Sequence, residues 1–326
     1  MNLFHTKKKF LKAVAAGDAK TVAAYLAVST SWARTQDEKT KDYALHSAIR
    51  GGHTDIVRQL LKAGATLWYG GNESQTPLHA AVMSGNLAIV KILLETPDNN
   101  FDAKDVNGLS PLHYAIRDNK TEILKAFLET RKADLNASDR PALYYAVECG
   151  QTDCVKLLLA AGADPSVRRT VTSYEYDDDD DYYYSHRREP RKTTVTYFSP
   201  LNCACTNNHT EIAGELLKAG ARWMSMEFPL HAAAAHGNVP LMTLLIQNGF
   251  NPKQLDQTQE TLLHKVAKSR NRESLSEAVL FVLAQGVDKN ALDKDNRTAL
   301  SYVQQFALTD IVKILQDPLP AQLLAP

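Results

Sequence analysis

Several features that mark secreted, membrane or nucleic-acid-binding proteins are scarce in this sequence. Its 326 residues include only four cysteines, too few for a disulfide framework, so a reducing compartment, the cytoplasm, is expected. Basic and acidic side chains are equal at 37 each, which argues against nucleic acid as a partner. Apolar runs stop after a few residues, and the basic N-terminus is not followed by an apolar stretch. Neither a membrane span nor a signal peptide is therefore predicted.

What the sequence contains instead is a repeat. Short blocks built around a leucine recur, as in Thr76-Pro77-Leu78-His79 and Ser110-Pro111-Leu112-His113. The spacing between successive leucines is close to 33 residues, with one outlying step of 58. The leucines of the eight blocks are Leu45, Leu78, Leu112, Leu143, Leu201, Leu230, Leu263 and Leu300. Such a period predicts a stack of similar units rather than one globular core.

Each block predicts two short helices joined by a tight turn. Thr or Ser followed by Pro starts a helix well, because the hydroxyl caps free N–H groups and Pro loses nothing there. Seven residues after the leucine comes Gly or Asn, as at Gly52, Gly85 and Asn119, which tolerates the left-handed backbone that ends a helix. Apolar pairs then follow at helical spacing, and a second glycine closes the unit. Two such helices cannot bury their apolar faces alone, so they must stack.

These residues resemble the ankyrin repeat. The resemblance rests on Thr76-Pro77-Leu78-His79, on the Ala-Gly-Ala-Asp-Pro run at 161–165 and on the Asp-Lys-Asp-Asn-Arg-Thr run at 293–298. It implies an all-α solenoid of about eight to nine helix-turn-helix units joined by finger loops. The predicted segments are N-terminal capping helices at 1–35, repeats one to four at 36–165, an inserted loop or hairpin at 166–198, repeats five to seven at 199–296, and a capping repeat with its tail at 297–326.

The step of 58 marks an insertion of roughly 25 residues into one finger loop. It contains five consecutive aspartates at Asp177–Asp181, several tyrosines and a basic run at 187–192. A run of like charge resists burial, which predicts a projecting mobile segment or an extended hairpin with a return strand at 193–198. Two interpretations stay open: a solvated insertion that the repeat tolerates, or a recognition element that uses Tyr182, Tyr183 and Tyr184.

Histidines and cysteines are the residues of this sequence that could form a metal site. His46, His79, His113, His231 and His264 occupy equivalent positions in different units, which predicts a spaced ladder rather than a metal cluster. The resemblance implies that these histidines bond the finger loops. Cys203 and Cys154 fall at packing positions of the repeat, so a zinc site is not favoured. No nucleophile elbow, Walker loop, dinucleotide-binding glycine pattern or zincin motif occurs, so neither enzymatic activity nor a cofactor or metal is predicted.

The resemblance implies partner binding on a concave face made by finger tips and by the ends of the first helices. Carried over by repeat phase, and with the loop aromatics and the insertion tyrosines added, the candidate residues are Arg50, Trp68, Tyr69, Asn72, Glu73, Met83, Asn107, Arg117, Asp118, Glu148, Tyr182, Tyr183, Tyr184, Asn207, Trp223 and His236. Trp68 and Trp223 have two open interpretations, as interface anchors or as side chains packed under a neighbouring loop.

The prediction is therefore a monomeric, non-enzymatic scaffold that binds a protein of unknown identity, with no nucleic-acid or membrane partner. An alternative is a secreted bacterial effector that uses the array to target proteins in a host cytoplasm. Its indications are the apolar tail at 319–326 and the repeats that depart from the common pattern.

Overall fold

The structure, a computed structural model, describes residues 3–68, 74–97, 99–130, 134–136, 140–175, 191–223 and 227–317. Side chains are described for all of these except 3–5, 170–175 and 191–198. The chain divides into two compact units, Met1–Leu135 and Asn136–Pro326. Both are built from pairs of short helices, in which a first helix, a tight turn and a second helix are followed by a finger loop.

The described residues of the first unit form four helix pairs. They are α1 (Leu3–Ala15) with α2 (Ala19–Val28), α3 (Ala44–Arg50) with α4 (Thr54–Lys62), α5 (Pro77–Ser84) with α6 (Leu87–Glu95), and α7 (Pro111–Arg117) with α8 (Thr121–Thr130). A short 3-10 helix, Thr30–Arg34, follows α2. It brings Trp32 against Phe10 and Tyr25, with ring centroids 5.1 to 5.4 Å apart, so that an aromatic cluster closes the first pair.

In the part of the second unit that the structure describes, the chain forms five helix pairs and one hairpin. The pairs are α9 (Ala142–Glu148) with α10 (Thr152–Ala160), α11 (Pro200–Thr206) with α12 (Thr210–Lys218), α13 (Pro229–Ala235) with α14 (Val239–Gln247), α15 (Leu262–Ala267) with α16 (Leu275–Ala284), and α17 (Ala299–Gln305) with α18 (Thr309–Gln316). Strands β1 (Arg169–Glu175) and β2 (Arg191–Phe198) lie between α10 and α11.

Capping side chains explain why the first helices begin where they do. The Thr76 hydroxyl accepts from the backbone N–H of His79, and the Thr76 N–H donates back to His79 Nδ1 at 3.1 Å. The same reciprocal pair joins Thr261 and His264. Two N–H groups that the helix leaves without an internal acceptor are satisfied at each such end.

The turns within the pairs take the left-handed backbone that the sequence predicts. Gly52, Gly85 and Asn119 have φ of 71°, 74° and 49°. Ala307 adopts the same conformation, with φ of 54°, although its Cβ disfavours it. In the α15–α16 pair extra residues form a longer loop, 268–274.

Stacking between neighbouring pairs creates the core. In the first unit α3 packs on α1 and α5, and α5 packs on α7, while the second helices form a parallel row. The second unit repeats this arrangement from α9 to α18. Seven of the eight block leucines are buried, with Leu45, Leu78 and Leu201 fully inaccessible, and Leu300 is half-buried. Each buried leucine contributes about 1.5–3 kcal/mol, and it does so against the adjoining pair as well as its own.

The insertion forms a hairpin at its two ends. β1 and β2 are antiparallel, with Arg169 opposite Phe198 and Glu175 opposite Arg191, and the register shifts between Ser173 and Tyr174. The predicted return strand at 193–198 is thus present. Asp177–Asp181 and Tyr182–Tyr184 lie outside the described residues. None of the described helices combines the length and the apolar character needed to cross a bilayer.

Candidate partner-binding surface

Four buried histidines each attach a finger loop to the helix pair before it. His79 Nε2 lies 3.0 Å from the Leu109 carbonyl oxygen, and because Nδ1 accepts from Thr76, Nε2 is the donor. The same link joins His46 to Gln75, His231 to Glu260 and His264 to Arg297, at 2.9 to 3.1 Å. The implied structural role of these four histidines is confirmed.

Burial makes protonation of this ladder unfavourable. Loss of hydration lowers the pKa of His46, His79 and His231 below the usual 6.5 and outweighs the carbonyl acceptors, which act in the opposite direction. At His46 the residue in the capping position is Tyr43 instead of Thr or Ser, and the buried His46 Nδ1 has no hydrogen-bond partner among the described residues.

Aspartates stiffen the finger loops from within. The Asp105 carboxylate accepts from the N–H groups of Asn107 and Leu109 at 2.9 and 3.0 Å and from the Tyr114 hydroxyl. Asp293 is bonded in the same manner, including by the Tyr302 hydroxyl at 2.6 Å. A loop tied in this way presents its tip in a defined position.

Asp256 is the most strongly held of these carboxylates. Burial raises its pKa, but hydrogen bonds from Lys265 and from the N–H groups of Glu260 and Thr258 outweigh burial and lower the pKa to about 2. The Lys265 ammonium lies 2.7 Å from Asp256 and 2.6 Å from Glu260, so one cation joins two carboxylates of the finger. The finger therefore stays ionised and fixed at neutral pH.

Three predicted residues lie at the ends of successive first helices in the first unit. The half-exposed Arg50 makes a two-pronged ion pair with the buried Asp42 of the preceding finger. Met83 is 40% exposed. Arg117 lies 4.4 Å from the centre of the Tyr114 ring, and its Nε donates to Asp118 at 2.8 Å. Since α3, α5 and α7 are stacked, these ends form one surface of fixed arginines around an apolar methionine.

Finger residues add apolar area to this unit. Trp68 is 59% exposed and Val106, at the tip of the next finger, is 65% exposed. Asn107 beside it is also exposed. We call Arg50, Trp68, Met83, Val106 and Arg117 the first-unit surface. Tyr69, Asn72 and Glu73, which are predicted for the same finger, lie outside the described residues.

Predicted residues of the second unit are engaged by their own neighbours. Glu148 accepts from Arg169 at 2.8 Å, and Asn207 donates to Cys203 Sγ at 3.4 Å. His236 Nε2 lies 2.7 Å from the Thr206 carbonyl oxygen and joins two helix pairs. Trp223 is 39% exposed and stacks on Phe250, with ring centroids 3.9 Å apart. For Trp223 the structure therefore favours packing between loops over a free anchor.

The repeat phase missed a group of cationic and aromatic side chains near the C-terminal pairs. Lys268 lies 3.9 Å from the centre of the Tyr302 ring, and Arg272 lies 5.2 Å from that of Phe306, which is 45% exposed. The extra residues of the α15–α16 loop displace these positions from the regular phase. Lys120 was also missed; its ammonium donates to the carbonyl oxygens of Val82 and Met83 at 2.9 Å and fixes the end of α5.

Cys154, Cys203 and Cys205 serve as buried packing groups, and Cys149 is half-buried. Burial raises the pKa of the Cys205 thiol to about 12 and that of Cys154 to about 11, so neither is a thiolate at neutral pH. Cys203 is also buried, and burial raises its pKa.

Taken together, capped helix pairs, a histidine ladder and aspartate-tied fingers define a tandem helical-repeat protein. A family model of ankyrin repeats, in three copies, matches residues 10–105, 97–169 and 230–322, which is more than half of the chain. The chain therefore belongs to the ankyrin-repeat family. Members of this family generally serve as protein–protein interaction modules.

Curated relatives match part of the chain. Neurogenic locus notch homolog protein 1 of Cricetulus griseus is 30% identical over 136 residues, which is 41% of this chain and 5% of that protein. The human Notch homolog 2 is 34% identical over 134 residues, 40% of this chain and 5% of that protein. The chain thus corresponds to a small part of the length of these relatives.

A solved structure supports the fold. The human ASB11 ankyrin repeat domain superposes with a TM-score of 0.54 at 23% identity, covering 73% of this chain and 96% of that domain. At this identity the likeness concerns the fold alone.

Proposed function

We propose that this chain is a non-enzymatic scaffold that binds a partner protein through its finger loops and the ends of its first helices. The observation that carries the proposal is the first-unit surface, where Trp68, Met83 and Val106 are exposed and two arginines are held by ion pairs. Tryptophan, methionine and arginine are enriched in protein interfaces.

Preorganisation supports this choice of surface. Asp42 and Asp118 hold the two guanidinium groups, and Lys120 holds the end of α5 that carries Met83. A partner that docks there orders few side chains, which removes about 0.5–1.5 kcal/mol of cost for each one already fixed. Mixed charge around an apolar centre suits another folded protein better than a polyanion. The proposed compartment is the cytoplasm, because the chain contains only four cysteines, too few for a disulfide framework.

A pair of matched variants tests the surface. Met83→Glu and Val28→Glu both place a carboxylate on an exposed apolar position, since Val28 at the end of α2 is 84% exposed. Affinity capture from cells that express the chain is compared by quantitative mass spectrometry. We expect Met83→Glu to reduce the captured partner about tenfold, equivalent to about 1.4 kcal/mol, while Val28→Glu retains it. Equal capture by wild type and Met83→Glu, with circular dichroism unchanged, would contradict the proposal.

The tyrosine-rich insertion remains a second predicted contact. Its two ends are tied into one hairpin, so residues 176–190 can be replaced by a short glycine-serine turn without altering the flanking strands. Retention of all captured proteins by that variant would favour the interpretation of a tolerated insertion.

A further inference from the structure

A groove of about 430 Å³ lies in the first unit between α1, the finger that precedes α3, and α3 itself. Its floor contains Leu11 and Ala15 of α1 and Ser47 of α3. We call its charged lining residues the rim, namely Lys7, Lys8, Lys12 and Lys39 together with Asp37 and Glu38. The groove is thus made from the same two kinds of element, first helix and finger, as the first-unit surface.

The charges of the rim do not cancel. Lys7 pairs with Glu38 at 3.2 Å. The Asp37 carboxylate is used by its own loop, where it accepts from the N–H groups of Lys39 and Thr40 at 2.8 and 3.3 Å.

Within the described part of the chain, Lys8, Lys12 and Lys39 form no ion pair. The lining residues include four lysines and two acidic residues, so positive charge is in excess around the groove.

The arrangement is unfavourable for the helix by itself. α1 contains four lysines and no acidic residue, and Lys8 and Lys12 stand four residues apart on one face. Like charges at that spacing destabilise a helix by about 0.2–0.5 kcal/mol. The helix dipole stabilises the charge of Lys12, which lies in the last turn, but it does not stabilise that of Lys8, which lies a turn earlier. A ligand of negative charge would remove the repulsion.

We infer that this groove binds an acidic peptide segment of a partner, with one apolar side chain on Leu11 and Ala15 and flanking carboxylates on Lys8, Lys12 and Lys39. The inference rests on the proposed function and names the chemistry of the segment bound. The Ser47 hydroxyl is half-buried and makes no hydrogen bond to a described residue, so it supplies a polar contact to the peptide backbone.

A peptide fits the groove better than a nucleic acid. Nucleic-acid sites gain most of their affinity from many phosphate contacts along a basic surface. Here the cationic rim is short, two carboxylates interrupt it, and the floor is apolar. Carboxylates spaced by an apolar residue match both features.

Selection from a random-peptide display library on the full chain tests the inference. The counter-selection uses Lys8→Glu/Lys12→Glu, and the matched control is Lys9→Glu/Lys91→Glu, which makes the same charge change at exposed lysines outside the groove. We expect enriched peptides with acidic residues around one large apolar residue. By fluorescence anisotropy they should bind the groove variant at least about tenfold more weakly than wild type, and the control within about twofold.

Three results would overturn the inference. One is enrichment without acidic residues, and another is equal binding to wild type and the groove variant. The third is equally tight, groove-dependent binding of a single-stranded oligonucleotide of the same net charge, which would identify a polyanion patch. The Met83→Glu capture experiment does not involve this groove, so a failed inference and a failed proposed function give different results.

Discussion

The two ends of each first helix follow different rules. At the N-terminal end, His79 and His264 repeat one set of bonds, with a threonine cap on one ring nitrogen and a finger carbonyl on the other. At the C-terminal end the residues change from one helix to the next, from Arg50 to Met83 to Arg117. Repeated residues belong to contacts that every pair needs for stacking, and variable, exposed ones are available for recognition.

The largest effect that separates the two ends is expected at His79. His79→Ala removes the Nε2 donor to the buried Leu109 carbonyl and the Nδ1 acceptor of the Thr76 N–H, and should lower the free energy of unfolding by about 2–4 kcal/mol. Met83→Ala, one turn further along the same helix, should change it by less than about 1 kcal/mol. Urea unfolding followed by circular dichroism measures both. Similar losses in the two variants would remove the distinction between the ends.

A pH titration tests the buried histidines at the N-terminal ends of the first helices. The pKa values of His46, His79 and His231 are lowered by burial, so the folded state binds fewer protons than the unfolded state below the usual histidine pKa. Stability is therefore complete above pH 6.5 and should fall in the window below it, as pH decreases from the usual histidine pKa toward the lowered pKa of the folded state. His79→Gln should show a smaller fall in urea midpoint across that window, and a midpoint that rises on acidification would contradict the assignment.

The smallest effect compares two tryptophans of the finger loops. Trp223→Ala loses the stack on Phe250 and should cost about 1 kcal/mol, whereas Trp68→Ala should change stability by less than about 0.5 kcal/mol. Partner capture should show the reverse order. Equal destabilisation of the two variants would mean that exposure does not separate packing from recognition in these loops.

Local features of the fold are predictable from the sequence. Gly52, Gly85 and Asn119 have the left-handed backbone because few other residues tolerate it, and the Thr-Pro starts cap helices through bonds within four residues. The return strand at 193–198 follows from its alternating pattern. Each of these outcomes depends on neighbours in the chain.

The chemistry of the candidate surface is less predictable. The repeat phase predicts the positions of Arg50 and Arg117. It does not predict that Asp42 and Asp118 hold them. It also misses Lys120, whose contacts with Val82 and Met83 join residues nearly forty positions apart. Long flexible side chains choose partners across neighbouring pairs, and no pattern within one repeat records that choice.

The sequence alone determined the ankyrin repeat, the phase of its helices and the place of its insertion, because the period, caps and turn residues act over short distances. Tertiary structure decided which exposed charges are paired and which are not. It separated Trp223, stacked on Phe250, from the exposed Trp68, and it brought α1, a finger and α3 together around one basic groove. Those outcomes depend on the stacking of helix pairs within a unit, which sets distances between residues some thirty positions apart.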